Sequence, residues 1–293
     1  MSMLRRSFVL GAAGLPALAA KNQWAICSET FVGSDFVTAC KAARRIGYSG
    51  IEAEPAHLGA DPASLSRDRR REFRAAIDGE GLTCVGMHSM LKSPTGLHLT
   101  TPDATIRQKS WEYFDKLIDL AADLSDRPVM VLGSSKQRST VNGSSVSDAT
   151  ARLTEGLQKL APHAEQRSAA ILMEPLAPHQ SDVVTTLEQA MEIVRAVKSP
   201  AVQTILDTHN TAAEKLPLDE LIRKYLPGIR HVHLNEMDGR RPGAGNFPFP
   251  LVLRTLKELQ YAGWLSVEVF DFKPDGETVA RESFEYLNRA QRG

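Results

Sequence analysis

The sequence has few cysteines: Cys27, Cys40 and Cys84 among 293 residues. Three cannot all pair within one chain, and their spacing matches no zinc motif. A disulfide framework is therefore not what holds the fold, and a chain this long buries enough surface without one. Neither sign of charge is in excess, with Lys+Arg at 35 and Asp+Glu at 35. A nucleic-acid binder normally shows a basic excess, so no nucleic-acid partner is expected. No apolar run approaches the roughly 18 residues of a bilayer-crossing helix, so no stable membrane anchor is expected. Neither G-x-G-x-x-G nor a Walker pattern occurs, which removes the usual dinucleotide and phosphate fingerprints. What is present is 42% hydrophobic and 24% charged residues, a globular balance that excludes a disordered chain, a collagen-like fibre and a coiled coil.

The N-terminus carries Arg5 and Arg6, then a short run of apolar and small residues ending in Ala17-Leu18-Ala19. Basic residues, a short apolar stretch and an A-x-A site form a secretory layout. The Arg-Arg-x-Phe-Val pattern resembles a bacterial twin-arginine signal. Residues 1–20 are therefore expected to be a twin-arginine-type signal peptide, and the protein to be periplasmic or otherwise exported. Residues 21–293 form the remaining domain.

That remainder alternates short apolar runs with amphipathic stretches. The expected strands are Trp24–Cys27, Gly50–Ala53, Thr83–Met87, Val129–Leu132, Ala170–Met173, Gln203–Leu206, His231–Leu234 and Leu265–Val269. Continuous apolar strands suit a parallel sheet covered on both faces. Helical spacing marks Ile106–Leu124, Ala149–His163, Thr185–Val197, Leu218–Tyr225, Leu251–Leu259 and Glu277–Leu287. Eight strand-then-helix units in about 270 residues imply a single-domain α/β fold, the (β/α)8 TIM barrel. The serine-rich stretch from 133 to 147 reads as a long loop after strand four and not as a domain boundary.

Barrel chemistry sits at the C-terminal strand ends. Strand five ends in Glu174-Pro175, strand six in Asp207-Thr208-His209-Asn210, strand seven in His233-Leu234-Asn235-Glu236, and strand eight in Glu268-Val269-Phe270. Three carboxylates and an imidazole converging on one mouth repel one another unless a cation sits among them. Glu174, Asp207, His233 and Glu268 are therefore expected to hold one divalent metal. Oxygen-rich donors with one imidazole suit Mn²⁺, Mg²⁺, Co²⁺ or Zn²⁺, with Mn²⁺ favoured. Of His231 and His233 only one is expected to point into the barrel, and His233 lies nearer the C-terminal end; His231 is then expected to face the helix layer or a neighbouring strand. Likewise only one of Glu52 and Glu54 is expected to face the mouth. His88, at the end of strand three, reads equally as a substrate contact or a structural hydrogen-bond partner. Cys27 has no activating base in sequence and is expected to be inert.

These strand ends, together with Arg241-Pro242-Gly243-Ala244-Gly245, resemble the xylose-isomerase-like barrel superfamily of sugar isomerases and epimerases. The resemblance spans residues ~22–290 and is closest in kind to metal-dependent ketose 3-epimerases. It implies that Glu174 and Glu268 are both metal ligands and the catalytic acid/base pair, with Asp207 and His233 as ligands only. It implies a small-molecule sugar substrate and is compatible with a homo-oligomer. A metal on the carbonyl and neighbouring hydroxyl stabilises the enediolate formed when an adjacent C–H is deprotonated. One carboxylate removes the proton and the other returns it. His88, Gln180, His209, Asn210 and Arg241 are the expected substrate contacts. Three positions depart from the epimerase pattern. Gln180 stands where those enzymes carry a glutamate, Asn210 where they carry a histidine, and Gly239 where they carry an arginine, with Arg240 and Arg241 just after. A modified keto-sugar, such as a 3-keto-glycoside, fits these changes better than a free ketose.

The same enediolate can eliminate a hydroxyl, so a keto-polyol dehydratase or lyase is the main rival. A non-catalytic periplasmic sugar-binding barrel is a second. An abasic-site endonuclease is disfavoured, because those relatives need extra His and Asp ligands that Asn210 and the strand-seven loop do not supply.

Overall fold

A computed structural model describes residues 23–292. The expected leader, residues 1–20, lies outside the described residues. Eight parallel strands close into a barrel in sequence order: β1 (Gln23–Cys27), β2 (Gly50–Ala53), β3 (Thr83–Met87), β4 (Val129–Leu132), β5 (Ala170–Met173), β6 (Val202–Asp207), β7 (Ile229–Leu234) and β8 (Trp264–Val267). Every expected strand is present, with ends shifted by two residues at most. The helices are α1 (Phe36–Ile46), the short α2 (Pro55–Leu58), α3 (Arg67–Gly79), α4 (Ala104–Leu124), the short α5 (Ser135–Arg138), α6 (Val146–Gln166), α7 (Leu187–Val197), α8 (Leu218–Tyr225), α9 (Phe249–Glu258) and α10 (Gly276–Ala290). Eight of them form the outer ring. No helix among the described residues is long and apolar enough to cross a membrane.

Local chemistry starts these helices. The Asp35 side chain accepts from Thr38 N–H at the start of α1, Asp103 from Thr105 and Ile106 N–H at α4, and Asp275 from Thr278 N–H at α10. Ser66, Ser145 and Thr186 do the same for α3, α6 and α7. Each such cap is worth roughly 1 kcal/mol.

Two apolar regions hold the barrel. The main core lies between strands and helices, with Ile26, Ile51, Met87, Met130 and Val232 on the strand side. A smaller cluster of Ala25, Val85, Val129, Val131, Leu172 and Ile205 fills the barrel's lower interior. Side chains two residues apart in a strand share a face. The inward positions above that cluster are thus Cys27 above Ala25, Glu174 above Leu172 and Asp207 above Ile205. On β1, β5 and β6 the interior turns from apolar to polar within one such step. Register slips occur between Ile51 and Glu52 against β3, and between Thr204 and Ile205 against β7. Such irregularities re-aim side chains beside functional sites.

Candidate active site

The strand ends bring Glu174, Asp207, His233 and Glu268 together. One ligand atom from each lies within 4.8 Å of all the others, and all four residues are buried. The mouth closes around them because small residues allow it. A Cβ on Gly133 would stand 2.1 Å from Glu174 Oε2, so the β4 end is hollowed to take that carboxylate. Asn210 braces the next ligand: its amide donates to Asp207 Oδ2, and its Oδ1 accepts from Ala177 N (2.9 Å) and Gln180 Nε2 (3.3 Å).

The electrostatics show a demand for positive charge. Burial, with the charges of Asp207 and Glu268, holds the Glu174 carboxyl well above its ordinary range. Burial and Glu268 likewise raise Asp207. His233 is pushed well above the usual imidazole value, because Glu52 and Glu268 outweigh its burial. Glu268 moves the other way: burial raises it, but His233 and His88 beside it outweigh that and hold it low. Three of the four groups thus hold a proton more tightly than usual, and a bound cation would compete with those protons.

A metal fits these donors. His233 Nδ1 and Glu268 Oε2 face each other at 3.1 Å, yet neither makes a hydrogen bond. Two buried polar atoms this close and unpaired are expensive. A divalent ion held between them would satisfy both. The donor set, three carboxylates and one imidazole, suits a divalent ion such as Mn²⁺.

Beneath this cluster lies a second polar layer. Glu52 is fully buried and accepts from His231 Nε2 (2.9 Å) and from His233 Nε2 (3.1 Å to each carboxylate oxygen). Burial opposes its ionisation, but the two imidazoles win and hold it well below the carboxylate range. Both histidines therefore point into the barrel, which corrects the expectation that only His233 does; residues two apart on a strand share a face, and His231 is needed there to meet Glu52. Both glutamates of strand two also face the mouth side, since Glu54 pairs with Lys92 Nζ at 2.6 Å. His88 is buried, 2.7 Å from Glu29 and 3.9 Å from Glu268, so it stands behind a ligand and does not line the cleft. Burial holds the Cys27 thiol up at about 11, in line with an inert cysteine.

Above the four donors opens a cleft of about 470 Å³, lined among others by Lys92, Ser134, Gln137, Gln180, Asn210 and Phe270 together with Glu174 and Glu268. Its size suits a small-molecule ligand. Of the expected substrate contacts, Gln180 and Asn210 reach this cleft. His209 packs edge-on against Phe270, with ring centres 5.1 Å apart, and its Nδ1 meets the Glu236 carbonyl. Arg241 turns away: its guanidinium pairs with Glu282 of α10 at 2.5 Å and does not line the cleft. Position 241 lies within the loop after β7 that Glu236 organises by accepting from Gly243 and Phe247 N–H, and there the arginine points outward. Glu29, which sequence reasoning missed, lies just past β1, where the same rule about polar strand ends would have flagged it. A larger groove of about 590 Å³ runs outside the barrel between α4 and α6, but no buried acid–base groups converge there.

Comparison with known proteins places the chain. The family model for xylose isomerase-like TIM barrels matches residues 40–290. Fructoselysine 3-epimerase of Shigella flexneri is 22% identical over 236 residues, 79% of this chain and 84% of that protein. D-psicose 3-epimerase of Enterocloster bolteae is 29% identical over 143 residues, 49% of this chain; the match spans only about half, 46%, of that relative. The D-psicose 3-epimerase of Clostridium cellulolyticum, solved with D-tagatose, superposes with a TM-score of 0.81 over 92% of this chain and 99% of that one, at 17% identity. The 3-keto-D-glucoside 4-epimerase of E. coli gives 0.80 over 92% and 100%, also at 17%. These two superpositions establish the fold, and the named relatives are all epimerases, enzymes of the isomerase class. The chain belongs to the xylose isomerase-like TIM barrel family.

Proposed function

We propose that this protein is a divalent-metal-dependent isomerase that epimerises a keto-sugar or keto-sugar derivative through an enediolate. One observation carries the proposal: four buried donors on β5 to β8 converge within 4.8 Å, and two of them face each other unpaired at 3.1 Å. Glu174, Asp207, His233 and Glu268 hold the ion, with Mn²⁺ the best match to their chemistry. The ion, when bound, supplies positive charge for the oxygens of the developing enediolate. Glu174 and Glu268 line the cleft from two different strands and act as the proton-transfer pair. Glu268 enters as the base, and Glu174, reaching the cleft from a different strand, is the partner through which a proton is returned. The relatives act on fructoselysine and psicose, both ketoses, which supports a keto-sugar here. Neutral Gln180 and Asn210 at the cleft wall offer hydrogen bonds to hydroxyls. Export through residues 1–20 belongs to the same proposal and rests on the Arg5-Arg6 pattern; replacing both by Lys and following the precursor in cell fractions tests it.

Elemental analysis beside Asp207→Ala, followed by incubation with keto-sugars in deuterated water, tests the reading. About one divalent ion per wild-type chain, none in the variant, and deuterium at the carbon next to the carbonyl are expected. A wild type that takes up no metal overturns it, and a metal-bound protein that exchanges no proton reduces it to a binding barrel. A new unsaturated product, formed as the C–H proton and a β-hydroxyl leave together as water, identifies the dehydratase instead.

A further inference from the structure

The established fold does not explain why a glutamate sits in the middle of the barrel. Glu52 is fully buried inside the barrel, in register with Cys27 of β1 and above the apolar cluster of Ala25, Val85, Val131, Leu172 and Ile205. An ionised carboxylate there is costly unless its oxygens are fully paired. Both of its hydrogen-bonding imidazoles come from β7, across the barrel from β2. His88 Nδ1 approaches a third side at 3.5 Å. Both strand pairs beside these groups carry a register slip, β2 against β3 next to Glu52 and β6 against β7 next to His231. The chain therefore departs from a regular barrel at the two places that let Glu52 meet the histidines.

We propose that Glu52 is a positioning residue for the metal ligand His233, and that His231 locks Glu52 in place for that role. This rests on the metal reading of the site. The geometry assigns the parts. Glu52 spans His233 Nε2 with both oxygens at 3.1 Å and so takes its N–H. The remaining lone pair is then on Nδ1, the atom that faces Glu268 and makes no hydrogen bond. A carboxylate behind a ligating imidazole fixes the tautomer, the ring angle and the basicity of the metal-bound nitrogen. His231 contributes one 2.9 Å hydrogen bond to Glu52 Oε2. Without it the carboxylate could rotate and lose its two-oxygen grip on His233. Glu52 does not line the cleft, so it acts on the ion only through the imidazole.

The test compares wild type, Glu52→Gln, His231→Asn and Glu54→Gln as full chains. Glu54→Gln removes the same charge two residues away, from a carboxylate paired with Lys92 and bonded to no ligand. Mn²⁺ affinity is measured by titration, the visible spectrum of the Co²⁺-loaded forms is recorded, and the melting point of each metal-free form is taken. Wild type is titrated first: if it binds no ion, the metal reading fails and this inference with it. If it binds, Glu52→Gln is expected to weaken Mn²⁺ roughly 10- to 100-fold and to shift the Co²⁺ bands. Glu54→Gln is expected to leave both unchanged. A purely structural role lowers the melting point and leaves the Co²⁺ bands of the folded protein in place. Affinity and spectrum unchanged in Glu52→Gln overturn the inference while the metal reading stands. Should Glu52→Gln fail to fold, His231→Asn decides: a weaker ion with shifted bands supports the assignment, and wild-type behaviour overturns it.

Discussion

At the scale of single residues, the site works by close approach. Glu174 fits because position 133 has no side chain, and a Cβ there would sit 2.1 Å from its Oε2. Gly133→Ala must therefore move the carboxylate and is expected to weaken metal binding more than tenfold, read by Mn²⁺ titration, with far-ultraviolet dichroism unchanged. The two proton carriers give a sharper expectation. Glu268→Gln keeps a metal-ligating oxygen and loses the base. Deuterium exchange is expected to fall on the order of 10²- to 10⁴-fold, with much of the bound ion retained; exchange at the wild-type rate removes Glu268 from the chemistry. The convergence of Glu174, Asp207, His233 and Glu268 was legible in the sequence because each ends a strand, and strand ends are recognisable from apolar runs. Glu52 and His231 were not legible as partners, since 179 residues separate them and only closure of the barrel brings them within 2.9 Å. The inward direction of His231 was there to be read, contrary to the outward expectation, because the period of two along a strand places it on the same face as His233. Arg241 shows the opposite limit, because a loop residue has no periodicity to say which way it points, and it joins α10 through Glu282.

At the scale of elements, strands announce themselves and thin helices do not. All eight strands stand where apolar runs of four to seven residues predict them. Helical spacing did not mark α1 or α3, and both bury few large apolar side chains. Small residues make up most of the buried face of α1, with Ala39, Cys40, Ala42 and Ala43 beside Phe36. Five arginines crowd α3, which buries only Phe73 and Ile77. A glycine inside a strand is similarly quiet in sequence and decisive in space. Gly86 has φ near 154°, and a Cβ on it would lie 1.9 Å from the Val129 carbonyl oxygen, where β3 meets β4. Gly86→Ala forces the two strands apart. It is expected to cost about 3 kcal/mol, seen as a lower denaturant midpoint with an unchanged slope. An unchanged midpoint shows that β3 and β4 adjust without loss.

At the scale of the whole molecule, metal, protons and folding are linked. In the metal-free protein Glu174 and Asp207 are raised above their ordinary values of 4.5 and 3.8, and His233 is raised well above 6.5. The folded state thus binds protons that the unfolded chain gives up. Stability from these three groups is complete below those ordinary values and is lost as pH climbs through the raised ones. Glu52 and Glu268, held low, behave oppositely: their contribution is present above 4.5 and disappears only as pH falls through their lowered values. From pH 5 upward the second group's contribution stays constant while the first group's can only fall, so the metal-free protein is expected to lose stability as pH rises. A metal ion takes the place of the displaced protons, so its affinity rises over the same interval. Each tenfold gain in affinity adds about 1.4 kcal/mol of stabilisation when the ion is in excess. The gap in melting temperature between Mn²⁺-loaded and chelator-treated protein is therefore expected to widen steadily from pH 5 to pH 8. Paired thermal scans at constant free Mn²⁺ measure it. A gap that stays flat means that the ion displaces no protons from Glu174, Asp207 or His233, and hence that these side chains are not what holds it.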